Sequence, residues 1–134
     1  MNTQLAESIQ SAVNACHGQA KAGGWWNNLQ TGEDLTCDYP AGEAPKRNVG
    51  ELLCLTHSEL SEGMEGARKN LMDDHLPHRK MLEVELADAV IRIFDMAGGM
   101  NLDLGGAVAE KLAYNARRAD HKPENRRLDD GKKF

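Results

Sequence analysis

Residues 49–97, VGELLCLTHSELSEGMEGARKNLMDDHLPHRKMLEVELADAVIRIFDMA, carry the clearest helical pattern of the chain. Apolar side chains recur there at three- and four-residue steps on both sides of a break at Met72–His78. Pro77 lies in this break and disfavours helix at the residue before it. The pattern predicts two helices, about Val49–Leu71 and His78–Ala97. Because a short linker joins them, we expect them to pack antiparallel.

The apolar stripes of these two helices are the expected core. In the first helix the stripe consists of Leu53, Leu60, Met64 and Leu71, and beside it lie Leu52, Thr56 and Glu59. The second helix has a wider apolar face, made by Leu82, Leu86, Ala89, Val90, Ile93, Phe94 and Ala97. A face of that width can contact two neighbouring elements. Gly98 and Gly99 are expected to end this helix.

The helical pattern also extends to both flanks. Residues 3–22 are predicted to form a helix capped by Thr3, and residues 103–118 form another. The intervening segment Gly23–Val49 is rich in glycine and proline, which predicts a long loop with a strand-like piece at Leu35–Cys37. Strand alternation and internal repeats are missing elsewhere. The predicted fold is therefore all-α, a bundle of four main helices.

Length and composition limit the possible classes of protein. A chain of 134 residues fits one domain, which we assign to 1–119, with a flexible tail of mixed charge at 120–134. A net charge of −5 argues against binding to nucleic-acid polymers. No apolar run approaches ~18 residues and no signal-peptide pattern is present, so we expect no membrane association. The 3 cysteines form no CxxC pair, which favours a reducing cytoplasm.

Two acidic pairs border the apolar stripes. Glu59 and Glu62 lie on the first of the two helices, and Glu85 and Asp88 lie on the second. Residues at i and i+3 share a helix face, with Cβ atoms about 5–6 Å apart. Antiparallel packing would bring the four carboxylates together, and their repulsion calls for a cation. All-oxygen ligation favours Mg²⁺, with Mn²⁺ as a substitute. A di-iron site fits less well, because such sites use Glu-x-x-His and no histidine follows Glu59 or Glu85 by three residues.

The acidic pairs belong to a longer motif, in which SELSE, with Glu59 and Glu62, precedes ELAD, with Glu85 and Asp88. This order resembles the MazG-like all-α nucleoside triphosphate pyrophosphohydrolase superfamily, across roughly residues 47–119. The family pattern is E-E-x-x-E followed by E-x-x-D, and Ser58 stands here in place of the first glutamate. The resemblance implies that the four carboxylates bind the metal and catalyse cleavage of a (d)NTP into (d)NMP and pyrophosphate. Relatives borne by phages favour (d)GTP as the substrate.

The resemblance also implies substrate contacts outside the acidic motif. The candidates are Lys111, Asn115, Arg118, Trp25, Trp26, Asn28 and Lys80. The first three share one face of the last helix, where the family has a similar lysine and asparagine facing the nucleotide. The tryptophans and Asn28 precede the first acidic helix, in a loop that helps form the base pocket in related enzymes. Lys80 can contact phosphate from the linker, and at least one tryptophan is expected to close the core.

The resemblance also implies an oligomeric state. Because the family covers its apolar stripes by pairing subunits, we expect a homodimer or a homotetramer. The basic residues of the tail are expected to close over bound nucleotide. Two alternatives stay open: a phosphoribosyl-ATP pyrophosphohydrolase, which shares the fold, and a non-enzymatic helical interaction module. The pathway is also open, and is either the removal of noncanonical nucleotides or a phage-type remodelling of the nucleotide pool.

Overall fold

The structure, a computed structural model, describes residues 2–134 and is helical as predicted. Its helices are α1 (Thr3–Ala22), α2 (Val49–Lys69), α3 (Met81–Gly99), α4 (Leu104–Arg117) and the short α5 (Pro123–Arg126). Within the described residues no strand is present, so the strand-like piece at Leu35–Cys37 was predicted wrongly. The nearby pairing is a single bridge between Asn27 and Asp34. None of the described helices is both long and apolar enough to cross a membrane.

The chain divides into two compact units. One contains the residues up to Gln10 together with Asp103–Phe134, and the other is Ser11–Leu102. The second unit contains α2, α3 and the long loop before them, and therefore all four residues of the acidic pairs. In the first unit, Arg126 donates to the backbone carbonyl of Lys133 at 3.0 Å, and Asn125 donates to that of Ala119 at 2.7 Å. The predicted flexibility of the tail stays a prediction.

Local capping explains where the helices begin. Asn2, and not the predicted Thr3, caps α1, because its side-chain oxygen accepts from the backbone N–H of Leu5 at 3.0 Å. Asn48 caps α2 by accepting from Glu51 at 3.1 Å, and Asp103 caps α4. These side chains satisfy N–H groups that the first turn of a helix leaves without partners. The helix boundaries therefore follow from short-range chemistry.

The linker between α2 and α3 is an ordered turn, which moves the start of α3 from the predicted His78 to Met81. The buried carboxylate of Asp73 accepts from the backbone N–H groups of His75 at 2.9 Å and Leu76 at 2.6 Å. A bridge between Met72 and Lys80 closes the loop. Because these bonds hold the backbone in a turn, the helix forms only after them.

α2 and α3 pack antiparallel, as predicted, but through a different face of α2. A Cβ atom added to Gly63 would lie 3.4 Å from the Cβ of Glu85, and one on Gly66 would lie 2.8 Å from the Cβ of Met81. The buried residues of α2 are Thr56, Glu59, Gly63 and Gly66. The glycines allow the two backbones to approach closely, so the face of small and acidic residues makes the contact.

The predicted leucine stripe of α2 is consequently exposed. Leu53 and Leu60 are each 46% exposed and Met64 is 58% exposed. The corresponding stripe of α3 is also largely exposed, and its members are Leu82, Leu86, Val90 and Ile93. Within α3 the buried apolar residues are Ala89 and Ala97. The assignment of these stripes to the core was therefore wrong for the isolated chain.

The core of the unit Ser11–Leu102 forms around Trp26, which is 1% exposed. Cys37 and Met100 pack with it. α3 ends at Gly99 as expected, but this glycine has a second role. A Cβ atom there would lie 2.3 Å from the Trp26 ring. Only glycine at this position allows the indole to lie against the helix.

Candidate metal centre

Three carboxylates meet at the contact between α2 and α3. Glu59 from α2, and Glu85 and Asp88 from α3, each place one oxygen within 4.8 Å of the others. Glu59 and Glu85 are each only 8% exposed. Glu62, the fourth acid of the motif, is exposed and lies outside this trio. The spacing of the sequence motif thus brings three of its four acids into one trio, and Glu62 lies close enough to Glu85 to contribute to its raised pKa.

Glu85 is the most strongly perturbed group of this cluster. Burial raises its pKa to about 7, with further contributions from the negative charges of Glu62 and Glu59 and from hydrogen bonding with both. Among the described residues no N–H or hydroxyl group donates to its buried Oε2 atom, so hydrogen bonds between Glu85 and its neighbouring glutamates depend on a proton shared between carboxyl groups. A buried acceptor without a donor costs roughly 1–3 kcal/mol. A proton or a cation at this oxygen removes that cost.

The donor set fits a hard divalent cation. Mg²⁺ binds oxygen ligands at about 2.0–2.1 Å, so two ligands on opposite sides of one ion lie roughly 4 Å apart. The oxygens of Glu59, Glu85 and Asp88 lie within 4.8 Å of one another, which is close to that spacing. The pKa of Asp88 is also raised, first by burial and then by the charge of Glu59. Such mutual repulsion is relieved when a cation binds.

Arg92 is a neighbour of this cluster that the sequence analysis missed. Its Nε atom donates to Glu59 Oε1 at 2.5 Å, and its side chain is 41% exposed. It follows Asp88 by four residues and Glu85 by seven, which places it on the same face of α3. This D-x-x-x-R spacing was the signal available in the sequence.

A groove of about 750 Å³ opens beside the carboxylates, within the unit Ser11–Leu102. Its lining includes Trp25, Arg47, Leu55, Glu59, Asp88 and Arg92. Trp25 is 69% exposed and lines this groove, whereas Trp26 lies in the core. The two adjacent tryptophans therefore have different roles, and the expectation that one of them closes the core is confirmed.

Two of the predicted substrate contacts lie in turns. The side-chain oxygen of Asn28 accepts from the backbone N–H groups of Gln30 at 2.9 Å and Thr31 at 3.1 Å. The ammonium group of Lys80 donates to Asn70 at 2.8 Å. Both side chains thus hold local structure, and neither lines the groove.

The predicted face of α4 belongs to the other compact unit. Lys111 and Arg118 surround the ring of Tyr114, at 4.7 Å and 5.9 Å from its centroid. Arg118 also pairs with Asp120 at 2.6 Å. Asn115 has a buried side-chain oxygen without a partner among the described residues. A shared role of these residues with the carboxylates stays a prediction.

Comparison of the chain with protein-family models, with curated proteins and with solved structures finds no match. The resemblance to the MazG-like superfamily therefore depends on the motif alone.

Proposed function

We propose that this protein is a divalent-metal-dependent nucleoside triphosphate pyrophosphohydrolase of the MazG-like type. The observation that carries the proposal is the trio of Glu59, Glu85 and Asp88, in which the buried Oε2 of Glu85 has no hydrogen-bond partner among the described residues. A cluster of this kind is stable when a cation supplies the missing partner. Glu59, Glu85 and Asp88 would hold Mg²⁺ or Mn²⁺, with Glu62 available at the exposed edge.

The groove beside the trio supports the proposed reaction. When bound, a divalent ion neutralises phosphate oxygens and increases the acidity of water. Glu59 lines the groove, is held by Arg92, and would accept the proton of the attacking water. The water oxygen attacks the α-phosphorus, and the bond between that phosphorus and the bridging oxygen breaks. Pyrophosphate leaves with the bridging oxygen, and the nucleoside monophosphate keeps the new one.

The base would stack on Trp25, whose exposed ring lines the same groove. Stacking on an aromatic side chain contributes about 1–3 kcal/mol per base and tolerates different bases. (d)GTP is the leading candidate on the motif resemblance. Because an aromatic ring stacks on any base, the preferred base is identified by comparing the four nucleotides as substrates.

A nucleotide panel tests the proposed function. With Mg²⁺ present, we expect pyrophosphate release from at least one (d)NTP, and at least a hundredfold loss in Asp88→Asn. Asp74→Asn is the matched control, since Asp74 is an exposed acid in the linker, outside the trio. Pyrophosphate release from phosphoribosyl-ATP and from no (d)NTP would identify the protein as a phosphoribosyl-ATP pyrophosphohydrolase. No release from any nucleotide would refute the enzyme assignment and favour an interaction module.

We also propose a homodimer or homotetramer, supported by the exposed stripes of α2 and α3. Leu60 follows the buried Glu59, and Leu86 follows the buried Glu85. Because the helices are antiparallel, side chains one position beyond the contact face point to the same side of the pair. The two stripes thus form one apolar surface, of the kind that marks protein interfaces.

Light scattering at micromolar concentration measures this assembly. We expect twice or four times the 14.7 kDa of the chain, and dissociation in Leu60→Glu. Leu29→Glu is the control, because Leu29 is 87% exposed and lies in the loop before α2. A wild-type protein that scatters only as the single chain would contradict the proposed assembly.

A further inference from the structure

Two arginines line the groove beside the carboxylates, and both keep unused hydrogen-bond donors. Arg92 donates through Nε to Glu59, and its terminal nitrogens have no acceptor in the described part of the chain. Arg47 places its guanidinium 4.8 Å from the centroid of the Trp26 ring, and residues 2–134 offer its N–H groups no acceptor. Both side chains line the groove. Their free donors are therefore available to a ligand.

A chain of contacts connects the segments that carry the two arginines. Arg47 stacks on Trp26, and the indole N–H of Trp26 donates to Asp95 at 2.7 Å. Asp95 follows Arg92 by three residues on α3, so their side chains share a helix face. His17 also contacts the Asp95 carboxylate, at 2.9 Å. Asp95 therefore fixes the loop carrying Arg47 to the helix carrying Arg92.

Arg92 has more hydrogen-bond donors than its contact with the Glu59 carboxylate uses. One N–H group makes that contact, while the fork of terminal N–H groups stays free. A planar guanidinium fork matches the oxygens of a phosphate group and can bind two of them at once. Arg47 offers a second fork, supported by the Trp26 ring. An anionic ligand with several oxygens suits this pair better than a single carboxylate does.

We propose that Arg47 and Arg92 form an anion-binding pair that holds the phosphate chain of the ligand in the groove, next to the carboxylate trio. The proposal rests on the proposed function for the identity of the anion as a polyphosphate. A nucleoside triphosphate carries about four negative charges, more than one divalent ion offsets. The arginines supply the remaining positive charge at a fixed position, and Trp25 lies in the same groove for the base.

Binding of inorganic pyrophosphate, measured by calorimetry with Mg²⁺ present, tests the pair without requiring turnover. We expect Arg92→Gln and Arg47→Gln each to weaken binding at least tenfold, and Arg92→Lys to recover part of the loss. Arg68→Gln is the matched control, because Arg68 lies on α2, is 71% exposed and pairs with Glu65. It should bind pyrophosphate as the wild type does. If Arg92→Gln lowers the melting temperature, its weaker binding could reflect partial unfolding. Arg47→Gln then still tests the pair, because Arg47 lies outside α2 and α3.

A parallel Mn²⁺ titration separates this proposal from the proposed function. If Arg92 binds the anion, Arg92→Gln keeps or strengthens Mn²⁺ binding, since a competing cation beside Glu59 is removed. A loss of Mn²⁺ affinity as large as the loss of pyrophosphate affinity would show that Arg92 only positions Glu59, and would overturn the pair. Wild-type-like pyrophosphate binding in both glutamine variants, or none in the wild type, would also overturn it. An inactive nucleotide panel with intact pyrophosphate binding would refute only the enzyme assignment.

Discussion

Glu85→Gln is expected to raise the melting temperature of the metal-free protein at pH 8 and to abolish its stabilisation by Mg²⁺. The pKa of Glu85 is raised from 4.5 to about 7 in the folded chain. Between these two values the folded protein holds a proton that the unfolded chain has released. Stability therefore falls as the pH rises through this window, and the full loss is present above about pH 7. Glutamine keeps the shape of the side chain without its charge.

Thermal unfolding at pH 5 and pH 8, with and without Mg²⁺, measures this effect. At pH 8 the wild type should gain several degrees from Mg²⁺, because the ion binds only the folded state. Glu85→Gln should show a shallower pH dependence and no gain. Glu33→Gln, a change at an exposed acid of the loop, should behave as the wild type does. An unchanged pH dependence in Glu85→Gln would show that the buried carboxyl does not cause the loss of stability at high pH.

The elements of the fold were predictable, but their packing faces were not. The breaks at Pro77 and in the loop before α2 act locally, so the helix boundaries could be predicted to within a few residues. Which face of α2 is buried depends on its partner helix. Gly63 and Gly66 look like weak points of an isolated helix, and their lack of a side chain matters only when α3 lies against them. Apolar patterning alone therefore selected Leu60 and Met64, which are exposed.

The candidate site shows the same division between local and long-range information. Glu85 and Asp88 share a helix face because of their spacing, and the antiparallel hairpin predicts that Glu59 meets them. Arg92 was missed, since its contact with Glu59 joins residues 33 positions apart. Trp26 could not be distinguished from its neighbour Trp25 by composition, because burial depends on the glycine that receives the ring.

Trp26→Ala is expected to destabilise the protein by about 3–5 kcal/mol, the range found when a buried aromatic side chain is truncated. The indole is 1% exposed, lies against Gly99, and stacks with the guanidinium of Arg47. Its N–H also donates to Asp95, which would lose this partner. Trp26→Phe keeps an aromatic ring but loses the N–H donor and the outer part of the indole against Gly99, so a smaller loss of about 1–3 kcal/mol is expected. Urea unfolding followed by circular dichroism measures both values.

Trp25→Ala provides the matched control, because the two tryptophans are adjacent and only one is buried. The Trp25 side chain is 69% exposed, so its removal should change the free energy of unfolding by less than about 0.5 kcal/mol. Its effect should fall on nucleotide binding, weakening it by roughly 1–3 kcal/mol if the base stacks on this ring. Inorganic pyrophosphate has no base and should bind the Trp25→Ala variant normally. Equal destabilisation by the two alanine variants would contradict the assignment of Trp26 to the core and Trp25 to the groove.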